Sequence, residues 1–275
     1  MKIVVTGAEG MLGYALKQVF SDIGFVGLSY DLLDVTVLDD TVNKIRHLNP
    51  DFVIHAAAFT NVDQCEEMPE KAFQVNGIGT RNVAMACHEA GCPVIYISSD
   101  YVFDGNKNTP YNEWDRTNPI NTYGHSKLMG EEYISTLTNK FFIIRTSWLY
   151  GENGSHFVDT IVRLLSEKES IDVVNDQVGC PTYTLDLAKK IRVVMAKGYG
   201  IYHVTNSGSC SWFDFAGTIA SRGKMERKIV PVSSASYKRP ARRPANSVLA
   251  NTMLRLEGID ELRHWEEALD EYLSS

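Results

Sequence analysis

The chain lacks a cysteine framework. Its five cysteines, Cys65, Cys87, Cys92, Cys180 and Cys210, are odd in number and form no C-x-x-C pair, which argues against both a disulfide scaffold and a zinc ribbon. A basic surplus is missing too. The formal net charge is -7, the opposite of the usual footprint of a nucleic-acid binder. No apolar run reaches the length of a membrane span, and the opening MKIVVTG reads as a strand, not as a signal peptide. The histidines, among them His47, His55 and His125, show no H-x-x-x-H or Cys-paired spacing, so no metal site is expected. There is no internal repeat and no low-complexity tract. A reducing cytoplasm is the expected compartment, with neither nucleic acid nor membrane as a partner.

What is present is a chain of 275 residues with 44% apolar content, enough to bury one large core or two unequal ones. Five short apolar runs punctuate the first half: Ile3–Val5, Phe25–Leu28, Phe52–Ala57, Val94–Ile97 and Phe141–Ile144. Amphipathic segments separate them. Leu12, Leu16 and Val19 form one stripe; Ala72, Val75 and Val83 contribute to another helix that Gly91 is placed to stop. Such alternation predicts an α/β fold with a Rossmann-like, doubly wound parallel sheet. After Tyr150 the alternation weakens. A helix is expected over 186–195 and a strand over 201–204. Ser211 and Asp214 form a variant capping box ahead of an aromatic-rich helix, 238–247 reads as a basic, proline-rich loop, and WEEALDEYL as a polar amphipathic helix.

The first run ends in Thr6-Gly7-Ala8-Glu9-Gly10-Met11-Leu12-Gly13. Glycines between a strand and a helix permit a tight turn and close backbone approach to a diphosphate, which the free N–H groups of the helix start then attract. The same pattern can serve helix–sheet packing alone, but its place at the head of an alternating chain favours a dinucleotide. Residues 1–150 are therefore read as an NAD(P)-binding domain. Residues 151–275 are read as mainly a smaller α/β substrate-binding lobe, with some segments returning to the first domain. The second strand ends Leu28-Ser29-Tyr30, with Asp31 and Asp34 shortly after. No carboxylate stands unambiguously at the strand tip to repel a 2′-phosphate, and no arginine stands there to bind one. NADPH is the expected cofactor, with NADH left open.

Tyr123 and Lys127 form Y-x-x-x-K. On a helix they share a face, and an ammonium beside a phenol is expected to lower the phenol's pKa, so the pair can exchange a proton with a carbonyl oxygen. Alone, such a pair is a common surface feature. Ser98 and Ser99 add weight, since they end a run whose carboxyl edge is where ligands bind in such sheets. His125 is read as pointing away from the Tyr–Lys face, and Glu131 and Glu132 as exposed helix surface.

Longer stretches sharpen this. TGAEGMLG, HAAAFTNVDQCE, ISSDYVFDG, PYNE, YGHSKLMGEE, RTSWLYG, NDQVGCPT and ARRPANS resemble the dTDP-4-dehydrorhamnose reductase family of extended short-chain dehydrogenase/reductases, over nearly the whole chain. The resemblance implies hydride transfer to C4 of a dTDP-linked keto-deoxysugar. Tyr123 would be the proton donor, Lys127 would hold the nicotinamide ribose, and Ser99 would be the edge hydroxyl, at a position often threonine in the family. It implies cofactor contacts at Gly7, Gly10, Met11, Leu12, Gly13, Asp34, Val35, Ala58, Phe59 and Thr60. Substrate contacts would come from Ser99, Asp100, Tyr101, Tyr123, Trp148, Gln177, Arg242 and Arg243. A flat indole at Trp148 suits the apolar face of a deoxysugar, and two arginines can fork onto a diphosphate. Asn76 resembles a helix asparagine of the wider superfamily but reads equally well as a packing residue. Family members can form homodimers and use a divalent ion at the interface; no local ligand cluster demands one here.

Two other readings compete. A 4,6-dehydratase would carry Glu where Tyr101 follows Ser99-Asp100, whereas a 4-epimerase would reuse the same tyrosine and lysine. A regulatory subunit of methionine adenosyltransferase resembles the same family and acts as a binding partner; retention of Ser99, Tyr123, Lys127 and Trp148 favours catalysis over that role.

Overall fold

β-Branched and aromatic residues dominate the apolar runs, and each run becomes a strand; all but the half-buried edge strand Gly24–Leu28 are buried on both sides. The computed structural model describes residues 1–274. β1 (Lys2–Thr6), β2 (Gly24–Leu28), β3 (Phe52–His55), β4 (Val94–Ser99), β5 (Phe141–Thr146) and the strand Gly200–His203 make one sheet. Its order is β2-β1-β3-β4-β5 and then Gly200–His203, and every pair is parallel.

Successive side chains of a strand point to opposite faces, and the two cores divide accordingly. Ile3, Val5, Ile54, Ile95, Ile97, Phe142 and Ile144 pack with Leu12 and Leu16 of α1 (Met11–Val19) and with Leu187 and Ile191 of the helix Thr184–Val194. Val4, Val53, Val94, Tyr96 and Ile143 face the other way. They meet Ile45 of α2 (Leu38–Leu48), Val83 of the helix Thr80–Ala90 and Ile134 of the helix Thr122–Leu137. The chain leaves β1 for β2 on one side and places β3 on the other. Strand order therefore reverses at β1, where the carboxyl ends open a crevice.

The stripe through Ala72, Val75 and Val83 does not lie on one regular α-helix. Pro69–Ala72 is α-helical, Phe73–Gly79 is π-helical, and Thr80–Ala90 resumes the α form. Gly91 then ends the helix in the left-handed region, at φ 70°, where glycine carries no steric penalty.

A third core gathers the later chain. Tyr150, Val158, Ile161, Leu165, Phe215, Ile219, Trp265 and Leu269 pack together, all but Tyr150 drawn from the helices Phe157–Glu167, Trp212–Arg222 and Trp265–Ser274. Strands Ser170–Val174 and Lys228–Val232 pair in parallel beside them. Ser211 caps its helix as expected: its Oγ accepts from Asp214 N at 3.1 Å, and the Asp214 carboxylate accepts from Ser211 N at 3.1 Å. Between these segments the chain returns to the main sheet, through the helix Thr184–Val194 and the strand Gly200–His203. All five cysteines are buried free thiols. Among the described residues, no helix is long and apolar enough to cross a membrane.

The helix Thr122–Leu137 lies close on β4 at Gly130. A Cβ there would stand 2.4 Å from Tyr96 Oη, 2.8 Å from Tyr96 Cζ and 2.9 Å from the Asn76 carbonyl. Tyr96 is fully buried and has nowhere to retreat. Gly130→Ala is expected to cost about 1–3 kcal/mol by overpacking, read as a lower urea midpoint at unchanged m. Gly217, inside the helix Trp212–Arg222, has nothing within 4 Å of its would-be Cβ. Gly217→Ala is expected to move the midpoint the other way, by about 0.5–1 kcal/mol.

Candidate active site

The helix carrying Tyr123 and Lys127 is held from its first turn. Asn121 caps it, its Oδ1 accepting from Gly124 N at 2.8 Å while its Nδ2 donates to the Arg242 carbonyl at 2.8 Å. The Glu66 carboxylate accepts from Thr122 N at 2.7 Å and Thr122 Oγ1 at 2.8 Å. Gly124 lets the turn press on the chain leaving β4, since a Cβ there would fall 2.1 Å from the Tyr101 carbonyl. This brings Tyr123 against Tyr101, edge to face with centroids 5.8 Å apart.

Ser98 and Ser99 separate in the structure. Ser98 Oγ turns inward and donates to Glu131 at 2.5 Å. Ser99 Oγ donates to Asp100 Oδ1 at 2.9 Å and accepts from Tyr101 N at 3.1 Å, and it is the hydroxyl whose hydrogen bond eases ionisation of Tyr123. Lys127 is 2% exposed. Its Nζ donates to the Ile97 carbonyl at 2.7 Å and sits 4.3 Å from the centroid of the Tyr96 ring.

The expected effect of the ammonium on the phenol is overturned. Burial pushes the Tyr123 hydroxyl well above its ordinary value, with the Ser99 hydroxyl opposing and the Asp100 charge adding to the rise. Burial instead lowers Lys127 to about 7, against the pull of Glu131. A desolvated site disfavours whichever form is charged, so Tyr123 stays a neutral O–H donor. Asp100 is also raised, to about 7, by burial that the Ser247 and Ser99 hydroxyls partly offset. Its Oδ2 is buried without a hydrogen-bond partner among the described residues.

The glycine loop fits a diphosphate. Gly7, at φ 70°, lies where a Cβ would come within 2.6 Å of Ala57 N, and Gly13 where one would meet the Ala8 backbone at 2.6 Å. Gly10 by contrast has only its own loop's Gly7 carbonyl nearby, at 3.5 Å. Gly10 is also the N-cap of α1 and supplies no side-chain acceptor, so the helix start, with Met11 and Leu12, presents free N–H groups. Beyond β2, Asp34 accepts from Thr36 N at 2.9 Å and Thr36 Oγ1 at 2.8 Å. Val35 is buried, with its carbonyl taken by Asn82 Nδ2 at 2.9 Å. After β3 come Ala58, Phe59 and Thr60. Asn76 brackets Phe59, accepting from its N–H at 2.7 Å and donating to its carbonyl at 3.0 Å, and also donates to Ser126 Oγ at 2.9 Å. Asn76 is thus the link between this loop and the Tyr–Lys helix, and the π-helical turn presents it there; such turns recur at functional sites.

Trp148 follows β5 in the left-handed region, φ 47°, an uncommon conformation for a bulky residue. Its indole stacks on that of Trp212, centroids 3.4 Å apart and 6° from parallel, and Gly179 lies against it. One face of the Trp148 indole is therefore covered by Trp212. Gln177 is half-buried in the turn before the strand Val178–Gly179. Arg242 is exposed. Arg243 forks onto Asp63, at 3.1 and 3.0 Å, so in this structure its donors meet a protein carboxylate.

Three further features went unread in the sequence. Glu131 is not exposed surface, although Glu132 is: at 4% exposure Glu131 accepts from Arg145 Nε at 2.9 Å and Nη2 at 2.6 Å. Helix arithmetic would have found it, because positions four and eight after Tyr123 share its face. Asp63 as the anchor of Arg243, and Trp212 as the partner of Trp148, are distant in sequence and left no local signal. Among the described residues no group of three or more His, Cys, Asp and Glu is arranged to hold a metal ion.

The family model described as the RmlD substrate binding domain matches residues 1–275. The chain is 42% identical to the spore coat polysaccharide biosynthesis protein SpsK of Bacillus subtilis, over 99% of this chain and 96% of that protein. It is 38% identical to the dTDP-4-dehydrorhamnose reductase of Sinorhizobium fredii, over 98% and 95% of the two. A crystal structure of dTDP-4-dehydrorhamnose reductase from Bacillus anthracis in complex with NADP superposes at a TM-score of 0.97, with 42% identity and coverage of 100% and 99%.

The depressed Lys127 makes a stability statement. Unfolded, the lysine titrates near 10.5; folded, near 7. Between those values the unfolded chain binds the extra proton, so this group adds stability as pH rises through the window. In urea unfolding from pH 6 to 10, Lys127→Met is expected to show its best stability relative to the wild type at pH 6. That advantage should shrink steadily above pH 7. A constant difference across the range would mean that Lys127 titrates normally.

Proposed function

The chain belongs to the RmlD substrate-binding-domain family, and from that premise we propose that it reduces the C4 keto group of dTDP-4-dehydro-β-L-rhamnose to dTDP-β-L-rhamnose with NADPH. The observation that carries this reading is the placement of Tyr123 and Lys127 on one helix face against the carboxyl end of β4, Tyr123 packed on Tyr101 and Lys127 seated on Tyr96 and the Ile97 carbonyl. It is supported by relatives named as that reductase and by the NADP complex of a close structural neighbour.

The nicotinamide would supply the hydride. The protein's own share is binding, orientation and one proton. Gly7, Gly10, Met11, Leu12 and Gly13 would receive the cofactor diphosphate, Asp34 and Val35 would border the adenosine, and Ala58–Thr60, fixed by Asn76, would line its path. Lys127 would reach the nicotinamide ribose from its seat on Tyr96 and Ile97. Ser99 and Tyr123 would hydrogen-bond the sugar carbonyl, and Tyr123 Oη would release its proton to the oxygen as C4 is reduced. A phenol raised by burial is protonated at neutral pH, the state that a donor needs.

On the substrate side, Asp100 and Tyr101 would contact the sugar. Trp148 would meet it with the part of the indole that Trp212 leaves open, while Gln177, Arg242 and Arg243 would border the nucleotide. Residues after Tyr150, apart from the helix Thr184–Val194, the strand Gly200–His203 and the stretch through Leu254, Ile259 and Leu262, which pack with the main sheet, would form the substrate lobe. NADH remains a second cofactor to rank, because Asp34 is occupied with Thr36 and the stretch 29–37 after β2 contains no arginine. We read the protein as cytoplasmic.

The decisive assay follows NADPH absorbance with dTDP-4-dehydrorhamnose generated in the same cuvette, NADH in parallel. Sugar-dependent oxidation with a rhamnose product is expected; NADPH binding without oxidation would reject the reductase in favour of a binding role. Tyr123→Phe is expected to keep NADPH binding while turnover falls by at least ~100-fold, and near-normal turnover would remove Tyr123 from the proton path. Trp148→Ala is expected to raise KM for the sugar nucleotide more than KM for NADPH. Equal increases would assign the indole a purely structural part.

A further inference from the structure

Tyr123, Lys127 and Glu131 fall at successive fourth positions of one helix and share the face turned to the sheet. Below Lys127 the helix is joined to two strands at once. Ser98 of β4 donates to Glu131 Oε1 at 2.5 Å, and Arg145 of β5 forks onto both carboxylate oxygens at 2.9 and 2.6 Å. Ser98 and Arg145 are themselves paired in register across β4 and β5. Arg145 is fixed in turn, its Nη1 donating to the Glu113 carbonyl at 3.3 Å and its guanidinium 5.2 Å from the Phe103 ring centroid. All three side chains are almost fully buried, so charges here interact with little screening.

The surroundings of Lys127 hold few charges. From β4 come the Tyr96 ring and the Ile97 carbonyl. From β3 comes His55, which burial and then the Lys127 charge push down to about 3, leaving it neutral. The helix itself contributes Tyr123, a neutral phenol, and Glu131. Arg145 reaches this region only through Glu131. Among the described residues, the carboxylate that supports the buried ammonium is that of Glu131.

We propose that Glu131 is the positioning residue of the Tyr123–Lys127 pair, fixing the helix on β4 and β5 through Ser98 and Arg145 and holding a carboxylate one turn below the Lys127 ammonium. This rests on the reading above only in that Lys127 is taken to meet the cofactor ribose.

The test reads NADPH affinity against pH, by fluorescence, with no sugar present, so a failure of the reductase assay and a failure here are separate results. In the wild type, affinity is expected to fall on the alkaline side as Lys127 loses its proton. Glu131→Gln is expected to move that midpoint down by about one pH unit, a ~10-fold change in the protonation equilibrium. Glu131→Asp keeps the charge, so its midpoint should stay while affinity drops at every pH. Because Glu131→Gln leaves Arg145 as an uncompensated buried cation, Glu131→Gln/Arg145→Gln supplies a neutral version, with a midpoint between those of Glu131→Gln and the wild type. The same midpoint in all four proteins, or a wild type with no alkaline midpoint, would overturn the proposal.

Discussion

The constraint on which the candidate site depends is how closely one helix approaches one strand. At Gly124 and Gly130 no side chain separates the helix Thr122–Leu137 from the chain of β4 and the residues packed on it. The rest follows from that distance. Tyr123 comes within reach of Ser99, Lys127 is pressed onto the Tyr96 ring, and Glu131 is driven so deep that only an arginine and a hydroxyl could make its burial tolerable. A buried carboxylate must be paired and hydrogen-bonded to remain charged, and β4 and β5 supply both requirements side by side.

Burial also decides the protonation states. A surface Tyr–Lys pair would be governed by the mutual influence of its charges. Here desolvation outweighs it, holding the phenol protonated and weakening the ammonium. The same principle accounts for Asp100, whose rise to about 7 has burial as its first cause. Three groups that are far apart in ordinary acidity are thereby pushed toward their neutral forms within a small volume.

The sequence made the sheet legible because each strand is a short β-branched run with its own boundary residues. The glycine loop was legible because strand, turn and helix occur in one unbroken stretch. Tyr123, Lys127 and Ser99 could be read from local spacing. What escaped was either a matter of environment or of distance. The sign of the Tyr123 shift depends on how deeply the phenol is buried, which no local pattern records. The role of Asn76 depends on a π-helical turn, and a regular helical period across Ala72–Val83 hides it. Glu131 was misread because a charged pair, Glu131–Glu132, suggests solvent; tracking the helix face through Tyr123 and Lys127 separates the two. Trp212 and Asp63 lie dozens of residues from Trp148 and Arg243, and only the folded chain joins them.

The stacked indoles have a consequence for how motion in this protein can be observed. Trp148 lies two residues beyond β5, and Trp212 opens the helix Trp212–Arg222; both pack against the third core. Two chromophores held parallel at 3.4 Å couple their excited states, so the pair carries its own optical signature of how the chain after β5 sits on that core. A shift of the chain after β5 against the helix Trp212–Arg222 would change its circular dichroism and emission without any attached label, and would be visible in the unmodified protein.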